Sequence, residues 1–546
     1  MRLSLFALLI SLVGCRSSSG ADAALAAPAV SASKEWLEGR LPPDAESPRD
    51  GGTLVVRVMS EPGCLNHLAD GCRDAWVSRM TNRLVTQTLL SASANESTLR
   101  PELASEWTQS ADHTLSSFTL RKGVTFSDGS AFTSADVIAT LDAVMDPEKE
   151  TGALRGEISA LASWKAPDAE HVQLKWSTPS PFALRALARL PILSAKELAG
   201  DWKNIQPIGT GPFVIAKWER GQALTLDRRP GGAAYLERIV FRFVKDHTAA
   251  GAMFERGEFD LMTNITPALW KSLEVAEPQT TWAKRDWNRI KSLDNSYSYI
   301  AWNEARPFFA DVRVRRALAH LYDAKLISRV VDLELELPTT CPYLRTGESC
   351  DRAVQPLPFS PDDARALLAD AGFKDTDDDG VLERDGVALR FSFLLPSTQV
   401  RLGKLVPMLQ EQLKPVGIDV QLEKVETSSL SARVAKRDFD VVSRLWTEFD
   451  REQDLFPMFH SSQIDGGSNW VGYANPEVDR LIEQVRGEFD DGKRHQLEQR
   501  LHALIYADQP YLFMTSRQSL DASKKRVHGL QPSILWYDLR AVWVSN

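Results

Sequence analysis

The hydrophobic positions of the chain follow two periods, one typical of strands and one typical of helices. Phe118 and Leu120 fall on one face of a predicted strand, and Thr119 falls on the other. Thr133 then begins a predicted helix, with Asp136 three residues later as its capping-box partner. Strands that alternate with helices predict a protein built on α/β sheets.

The same two periods recur along the rest of the chain. A buried first strand is predicted at 53–58, and the run 439–446 is apolar enough for a strand that is buried on both faces. A helix is predicted at 76–90, and another begins at Ser360, which caps it ahead of Pro361. Both kinds of element therefore continue into the C-terminal part of the chain.

The N-terminus carries a targeting pattern. Arg2 precedes the apolar run Leu3–Val13, which is too short to span a bilayer, and Cys15 lies where that run ends. The sequence Leu-Val-Gly-Cys resembles a bacterial lipobox, in which the cysteine is lipidated and becomes the mature N-terminus. Residues 1–15 are predicted to be a lipoprotein signal peptide, with an ordinary secretory peptide as the alternative. Residues 16–50, rich in Ser, Ala and Pro, are predicted to be a flexible tether.

Length and charge narrow the class of protein. A chain of 546 residues needs two or more domains. The formal net charge of −9 argues against nucleic acid or an anionic membrane as the main partner. After the targeting segment, no stretch is apolar for the roughly 20 residues of a transmembrane helix. The sequence therefore predicts an exported, soluble protein that its lipid holds at the periplasmic or another extracytoplasmic face of a membrane.

Four cysteines follow Cys15, namely Cys64, Cys72, Cys341 and Cys350. An even number in an exported chain predicts two disulfides. Of the three possible pairings, the short spacings favour Cys64 with Cys72 and Cys341 with Cys350. Buried free thiols are the alternative. The chain has no C-x-x-C motif, which argues against a redox site or a zinc ribbon.

Several longer segments carry a resemblance to a known family. PELASEW, FTLRKGVTFSDG and FTSADV follow one another within residues 101–137, and PIGTGPFVI, AMFERGEFDLM and the RVRRAL segment come later in the same order. This series resembles the extracellular solute-binding proteins of family 5, the oligopeptide- and dipeptide-binding lipoproteins of bacterial ABC importers. The resemblance runs from about residue 51 to residue 546.

The resemblance implies a fold and its divisions. The fold is α/β and two-lobed, of the type II periplasmic-binding-protein kind, with an extra subdomain in the N-terminal lobe and the ligand between the lobes. Lobe I is implied at 51–93, 206–289 and 521–546, the extra subdomain at 94–205, and lobe II at 290–520.

The resemblance also implies where a ligand binds. In the family, a carboxylate just beyond a tryptophan that follows a buried strand receives the terminal amine of a peptide. Partial burial suits this carboxylate, because a buried amine without a counter-ion is costly. Here Trp446 is the tryptophan, but Phe449 stands where family members carry Asp. Asp450 is the first candidate and Glu448 the second, with a loop-surface carboxylate as the alternative for each.

Aromatic and amide side chains complete the predicted ligand site. Trp446 is either a wall of the cleft or part of the core. Tyr299 and Asn303 lie where lobe II begins and can face the ligand, although Asn303 can instead cap local backbone. No basic residue is assigned to the ligand carboxylate, because the 64 lysines and arginines show no local pattern.

No motif for catalysis is found, and the sequence predicts a protein that is not an enzyme and has no cofactor or metal. Neither H-E-x-x-H nor G-x-S-x-G is present, and there is no P-loop. The acidic segment Asp375–Gly380 copies the first half of an EF-hand loop, but Gly386 stands where the bidentate Glu belongs. An acidic turn is therefore favoured there, with calcium binding as the alternative.

These inferences lead to a functional hypothesis. The protein is expected to act as a monomer that captures peptides and delivers them unaltered to the permease and ATPase subunits of an ABC importer. Binding closes the lobes because the ligand contacts both of them only in the closed state. Since the family also includes binders of nickel chelates and oligosaccharides, such ligands are the alternatives to peptides. A ligand-sensing receptor for a signalling partner and a hydrolase are the hypotheses from other classes.

Overall fold

The computed structural model describes residues 37–39, 47–72, 75–92, 98–274, 287–397, 399–447, 450–465, 467–533 and 536–545. The predicted signal peptide with Cys15, most of the predicted tether and the candidate Glu448 lie outside these ranges.

The described residues contain 24 strands. In chain order they are β1 (Leu37–Gly39), β2 (Thr53–Val58), β3 (Leu90–Ala92), β4 (Leu99–Pro101), β5 (Ala104–Gln109), β6 (Leu115–Leu120), β7 (Leu161–Asp168), β8 (His171–Trp176), β9 (Phe213–Glu219), β10 (Ala223–Arg228), β11 (Arg238–Phe243), β12 (Leu261–Met262), β13 (Trp287–Trp302), β14 (Leu337–Pro338), β15 (Glu383–Arg384), β16 (Val387–Ala388), β17 (Arg390–Pro396), β18 (Asp419–Val425), β19 (Val441–Thr447), β20 (Tyr511–Lys524), β21 (Val527–His528), β22 (Pro532–Ser533), β23 (Trp536–Tyr537) and β24 (Trp543–Val544).

The same residues contain 15 α-helices and several short 3₁₀ turns. The helices are α1 (Ala75–Thr81), α2 (Ser134–Met145), α3 (Gly152–Glu157), α4 (Ala183–Leu187), α5 (Ala195–Leu198), α6 (His247–Glu255), α7 (Pro267–Glu274), α8 (Val312–His320), α9 (Ala324–Val330), α10 (Pro361–Asp370), α11 (Val400–Leu413), α12 (Thr427–Ala435), α13 (Phe456–Phe459), α14 (Pro476–Gly487) and α15 (Asp491–Asp508).

Twelve strands form one continuous mixed sheet. Its main path is β18-β17-β19-β13-β20-β12-β2-β11-β10-β9, with β1 beside β13 and β14 beside β20. β17 is parallel to β18 and β19, and β2 is parallel to β11 and β12. Between these two parallel groups, β13 and β20 run antiparallel to each other and to their outer neighbours. The fold is therefore α/β with two lobes, as predicted, and the long strands β13 and β20 pass from one lobe to the other.

The pairing of the two crossing strands is irregular near its middle, and the larger of its two register shifts follows Leu293. They pair regularly up to Leu293 opposite Gln518, and pairing resumes with Tyr297 opposite Ser516. Residues 294–296 of β13, which are Asp-Asn-Ser, have no partner in β20 at this point. Because such irregularities bend strands, we call residues 294–296 the hinge segment.

A second sheet of four antiparallel strands, β5-β6-β8-β7, lies inside the segment predicted as the extra subdomain. Its inner face carries Phe118, Val172, Leu174 and Trp176, which are all buried. These side chains share a hydrophobic core with residues of α2 and α4. Helix α4 is therefore packed into the core of this segment.

Hydrophobic cores cover both faces of the large sheet in each lobe. In lobe II, α8, α10 and α11 contribute to the core on one face, and α14 and α15 to the core on the other. In lobe I, Leu54 and Val56 of β2 point into one core while Val55 packs against a second. This two-sided burial explains why the central strands are apolar without a clear alternation.

The local capping predictions are confirmed. Thr133 is the N-cap of α2 and forms the reciprocal capping box with Asp136. The Ser360 hydroxyl accepts a hydrogen bond from the backbone N–H of Asp363 at the start of α10. Both features depend only on residues within one helical turn, which is why the sequence reveals them.

The predicted helix 76–90 is wrong in its length. Helix α1 ends at Thr81, and Arg83 adopts a left-handed backbone with φ of 64°. The chain then packs against the turn at Gly209, where an added Cβ would lie 1.7 Å from the carbonyl oxygen of Val85. Two backbones can approach this closely only because a glycine is present, and that contact replaces the further helical turns.

Candidate functional site at the lobe junction

The loop after β19 is fastened to the hinge segment. Asn295 donates a hydrogen bond from its Nδ2 to the backbone carbonyl of Asp450, at 2.6 Å. The backbone N–H of Glu452 donates to Oδ1 of Asp450, at 3.2 Å. These two contacts place Asp450, the first sequence candidate, at the junction of the lobes.

Asp450 is only 3% exposed and faces two arginines. Its Oδ1 accepts a hydrogen bond from Nη1 of Arg185 at 2.7 Å, and its Oδ2 lies 3.6 Å from Nη1 of Arg189. Within the described part of the chain, Oδ2 has no hydrogen-bond donor. The carboxylate therefore has an electrostatic partner but keeps one oxygen that can accept a hydrogen bond.

The two arginines belong to a different part of the molecule from Asp450. Arg185 lies on α4, whose neighbours Leu184 and Leu187 pack in the core of the extra subdomain. Asp450 follows β19 in lobe II and lies 265 residues further along the chain. The Arg185–Asp450 contact is therefore an ion pair between the two sides of the cleft.

Further charged groups surround this ion pair on the lobe I side. Arg189 donates two hydrogen bonds to Oε2 of Glu157, at 2.9 and 3.2 Å. Arg83 is buried as well, and burial lowers the pKa of its guanidinium, while the negative charges of Glu102 and Asp450 partly oppose that shift. The side chains of this region are thus suited to contact charged groups.

An aromatic cluster lies beside Asp450. Trp446 is half-buried and stacks at 6.3 Å on Tyr299, which in turn stacks at 4.2 Å on Tyr511. Tyr299 is only 1% exposed, and burial raises the pKa of its phenol well above the ordinary value. Tyr299 is therefore a support beneath Trp446 and not an exposed contact, contrary to the expectation that it faces the ligand.

Asn303 also differs from its predicted place. It is 2% exposed, and its Nδ2 donates to the backbone carbonyls of Arg437 and Phe439, at 3.0 and 2.8 Å. Its Oδ1 accepts from the N–H of Ala305. Both ends of the Asn303 amide are hydrogen-bonded to nearby backbone. Asn303 therefore caps local backbone, which was the alternative to a ligand contact.

A buried charge network lies directly behind the Asp450 loop. Glu452 contacts Nη2 of Arg494 at 3.3 Å and Nε2 of His495 at 3.4 Å. Glu498, one helical turn further along α15, is fully buried and accepts a hydrogen bond from the hydroxyl of Ser349 at 2.6 Å. Burial raises the pKa of Glu498 to about 7, and the contact with Glu452 raises the pKa of His495.

The structure pairs the four cysteines locally. Cys64 is joined to Cys72 with a Cα–Cα distance of 5.1 Å, and Cys341 is joined to Cys350 with 5.8 Å. Each disulfide closes a short loop, with the paired positions 8 and 9 residues apart in the sequence. The second loop also carries Ser349, so this disulfide restrains the residue that donates to Glu498.

The acidic segment 375–380 folds as a turn that uses its own carboxylates. Oxygens of Asp375, Asp377 and Glu383 lie within 4.8 Å of one another. However, Asp375 accepts from the N–H of Gly380, and Glu383 accepts from the N–H of Thr376. Exposed acidic groups that satisfy loop backbone are typical of a tight turn, the interpretation that the sequence favours.

One Ser–His–acid grouping bears on the hydrolase hypothesis. Nδ1 of His460 lies 2.8 Å from the hydroxyl of Ser462, and Nε2 lies 3.6 Å from Glu483. The same Nδ1 accepts the backbone N–H of Ser462 as the cap of a 3₁₀ turn. Since that bond uses the lone pair that a general base needs, this grouping is a cap and gives hydrolysis no support.

Sequence analysis missed Arg185 and Arg189. They lie in a segment, FALRALAR, that reads as an ordinary amphipathic stretch among the many basic residues of the chain. Only the packing of α4 against lobe II shows that these two side chains meet Asp450. No local pattern could have identified them.

The fold and this junction define a class of protein. Two α/β lobes joined by a pair of long crossing strands are the architecture of solute-binding proteins. The sequence profile of the bacterial extracellular solute-binding proteins, family 5 (middle), matches residues 98–466. The chain belongs to this family of solute-binding proteins.

Individual relatives agree over nearly the whole length. The oligopeptide-binding protein AppA of Bacillus subtilis is 27% identical over 533 residues, which covers 92% of this chain and 93% of AppA. The glutathione-binding protein GsiB of Pectobacterium atrosepticum is 25% identical, with 78% of this chain and 82% of GsiB covered. The solved structure of Bacillus subtilis AppA with a nonapeptide matches with a TM-score of 0.77 at 26% identity, over 92% of this chain and all of that one.

Within the residues that the structure describes, no helix combines the length and the apolar character needed to cross a membrane.

The raised pKa of Glu498 predicts a pH dependence of stability. Its folded-state pKa of about 7 lies above the ordinary value of 4.5, so the folded protein holds this proton more tightly than the unfolded chain. The resulting stability is present below pH 4.5 and is lost as pH rises through 7. Glu498→Gln removes this titration, and the loss of unfolding free energy between pH 5 and 8 should shrink by up to about 3 kcal/mol.

Urea unfolding at pH 5, 6, 7 and 8 measures this effect. Other buried carboxylates with raised pKa values, such as Glu304, titrate both in Glu498→Gln and in the unchanged protein. Their contribution to the pH dependence therefore cancels when the two proteins are compared. Glu411→Gln, at an exposed position of α11, is the matched control and should keep the pH profile of the unchanged protein. An identical pH profile for the Glu498→Gln and unchanged proteins would contradict the assignment.

Proposed function

We propose that this solute-binding protein captures peptides in its interlobe cleft and delivers them to the permease of an ABC importer. The observation that carries the proposal is Asp450, a nearly buried carboxylate with one oxygen to which no described residue donates a hydrogen bond. A peptide amine is a cation with three N–H donors, and a buried carboxylate is a strong partner for such a group.

The surroundings of Asp450 suit the rest of a peptide. Trp446 offers a half-buried aromatic surface, which binds chain atoms of varied sequence with little loss of entropy. The backbone of β19 ends beside it and presents peptide groups at the cleft. Such a site recognises the main chain and the terminus, and it leaves side chains of different kinds to the solvent-filled part of the cleft.

The relatives support this assignment of ligand class. The proteins similar to this chain along most of its length include one named as an oligopeptide-binding protein and one named as a glutathione-binding protein. The chain departs from the peptide binders in having Phe449 where they carry Asp. Asp450, the next residue, takes over that role in our proposal.

Capture and release follow from the two-sided site. Asp450 and Trp446 lie on lobe II, whereas Arg185 lies on the extra subdomain of lobe I. A ligand that contacts both sides stabilises the closed state, because it loses one set of contacts when the cleft opens. Release to a permease then needs only that the permease favours the open form. The ligand leaves unaltered and no cofactor is required.

The lipid anchor is a part of this proposal that the N-terminal sequence supports. Acylation of Cys15 would hold the protein at the outer face of a membrane, next to the permease. We propose that the anchored protein is a monomer. Cys15→Ser should abolish labelling with a palmitate analogue in growing cells and release the protein from washed membranes. Unchanged labelling and membrane retention of the Cys15→Ser protein would reject the anchor.

Calorimetry with Asp450→Asn tests the peptide site. Native mass spectrometry of the purified protein first identifies co-purified ligands, and calorimetry then gives their affinity. Asp450→Asn keeps the shape of the side chain and removes the charge, and we expect peptide affinity to fall at least tenfold, about 1.4 kcal/mol. The melting temperature should fall by several degrees because Arg185 loses its buried counter-ion, so affinity is measured well below that temperature.

Asp362→Asn is the control, since Asp362 is a fully exposed carboxylate on α10 of lobe II. It should leave peptide affinity unchanged. Equal affinity for the Asp450→Asn and unchanged proteins would remove Asp450 from the site. Failure of every peptide to bind would contradict the proposed function itself.

A further inference from the structure

The carboxylate proposed for the ligand amine already has a cationic partner from the opposite side of the cleft. Arg185 donates to Asp450 at 2.7 Å, with their side chains 10% and 3% exposed. Arg189 contacts the other carboxylate oxygen at 3.6 Å. A ligand amine therefore arrives at a site where two guanidinium groups are already close to its acceptor.

Charged groups of both signs already face each other before any ligand binds. Arg185 and Arg189 contact Asp450, and Arg189 also pairs with Glu157. A ligand that brings only an ammonium group adds a further cation beside two arginines. Because water is largely excluded here, the repulsion is weakly screened. A simple amine is thus a poor ligand for this junction.

A ligand end that carries both signs of charge avoids the repulsion. Its ammonium group can donate to Oδ2 of Asp450, the oxygen without a donor. Its anion can accept from the guanidinium groups, whose planar N–H donors match the geometry of a carboxylate. An arginine that loses part of its contact with Asp450 then contacts the ligand anion. It is therefore not left buried without a counter-ion.

We infer that the junction selects ligands whose bound end is a compact dipole, with a cation placed on Asp450 and an anion placed on Arg185 and Arg189. This inference rests on the proposed function and gives its ligand class. Among peptides, the matching end is an N-terminal Asp or Glu residue, whose ammonium and side-chain carboxylate are close neighbours. Arg185 and Arg189 are then the specificity residues that the sequence did not reveal.

The short distance between Arg185 and Asp450 favours a ligand end whose two charges lie close together. Arg185 and Asp450 are in direct hydrogen-bond contact, so their charges lie side by side and not at opposite ends of the cleft. The two termini of an extended peptide are too far apart to reach both groups. A terminal residue that carries both charges spans them without bending the chain.

Calorimetry with two peptides that differ only in this charge tests the inference. The probes are Asp-Ala-Ala-Ala and Asn-Ala-Ala-Ala, with N-acetyl-Asp-Ala-Ala-Ala as the probe that lacks the ammonium group. We expect the unchanged protein to bind the Asp peptide at least tenfold more tightly than the Asn peptide, and to lose at least tenfold in affinity on acetylation.

Variants then assign the preference to the arginines. Arg185→Met with Arg189→Met should reduce the Asp-over-Asn ratio to less than threefold, while Lys175→Met, an exposed cation of the same subdomain, should keep it above tenfold. Arg185→Lys retains charge without the planar donors, and should give an intermediate ratio even if the double variant does not fold.

Each outcome has a separate meaning. Equal affinity of the unchanged protein for the Asp and Asn peptides overturns the inference and leaves peptide capture in place. A preference for Asp that persists in the folded double variant also overturns it. If neither tetrapeptide binds, nor any peptide of a mixed library, the proposed function fails and the inference fails with it.

Discussion

The contact between Arg185 and Asp450 constrains how the two sides of this protein come together. It joins a helix of the extra subdomain to a loop of lobe II, two segments that are far apart in sequence. Both side chains are largely shielded from water, so neither charge can be left alone without a large cost. In our proposal, a ligand that separates this pair must satisfy both charges itself.

The structure around Asp450 holds the carboxylate in place for this role. Asn295 of the hinge segment fixes its backbone, and Glu452 ties the same loop to Arg494 on α15. A change in the bend of β13 at residues 294–296 would therefore act directly on the loop that carries Asp450. The proposed ligand site and the hinge segment are thus joined by a direct hydrogen bond.

Much of the fold could be predicted from the sequence because it depends on neighbouring residues. The capping box at Thr133 and the cap at Ser360 each involve one helical turn, and the strand with Phe118 follows a simple alternation. The resemblance supplied the two-lobed arrangement. Helix α1 was predicted too long because its end depends on packing against Gly209, more than 100 residues away in the chain.

The site was harder to predict because its contacts, like the end of α1, join residues that are far apart in the chain. The sequence identified Asp450 as a candidate, but the partners of Asp450 lie 265 and 261 residues away, and no local pattern distinguishes them from other arginines. Tyr299 and Asn303 were predicted to face the ligand from their order along the chain, but their side chains contact Tyr511 and the backbone of Phe439. The direction of a side chain depends on tertiary packing that spacing alone does not contain.

Small-angle X-ray scattering of the ligand-free protein tests the central claim most directly. If the Arg185–Asp450 pair holds the cleft shut, Arg185→Met leaves the buried carboxylate with only the longer contact to Arg189, and opening the lobes relieves that cost. The account predicts a larger radius of gyration and maximum dimension for Arg185→Met than for the unchanged protein, with no change for Lys175→Met. Superimposable scattering curves for all three proteins would contradict it.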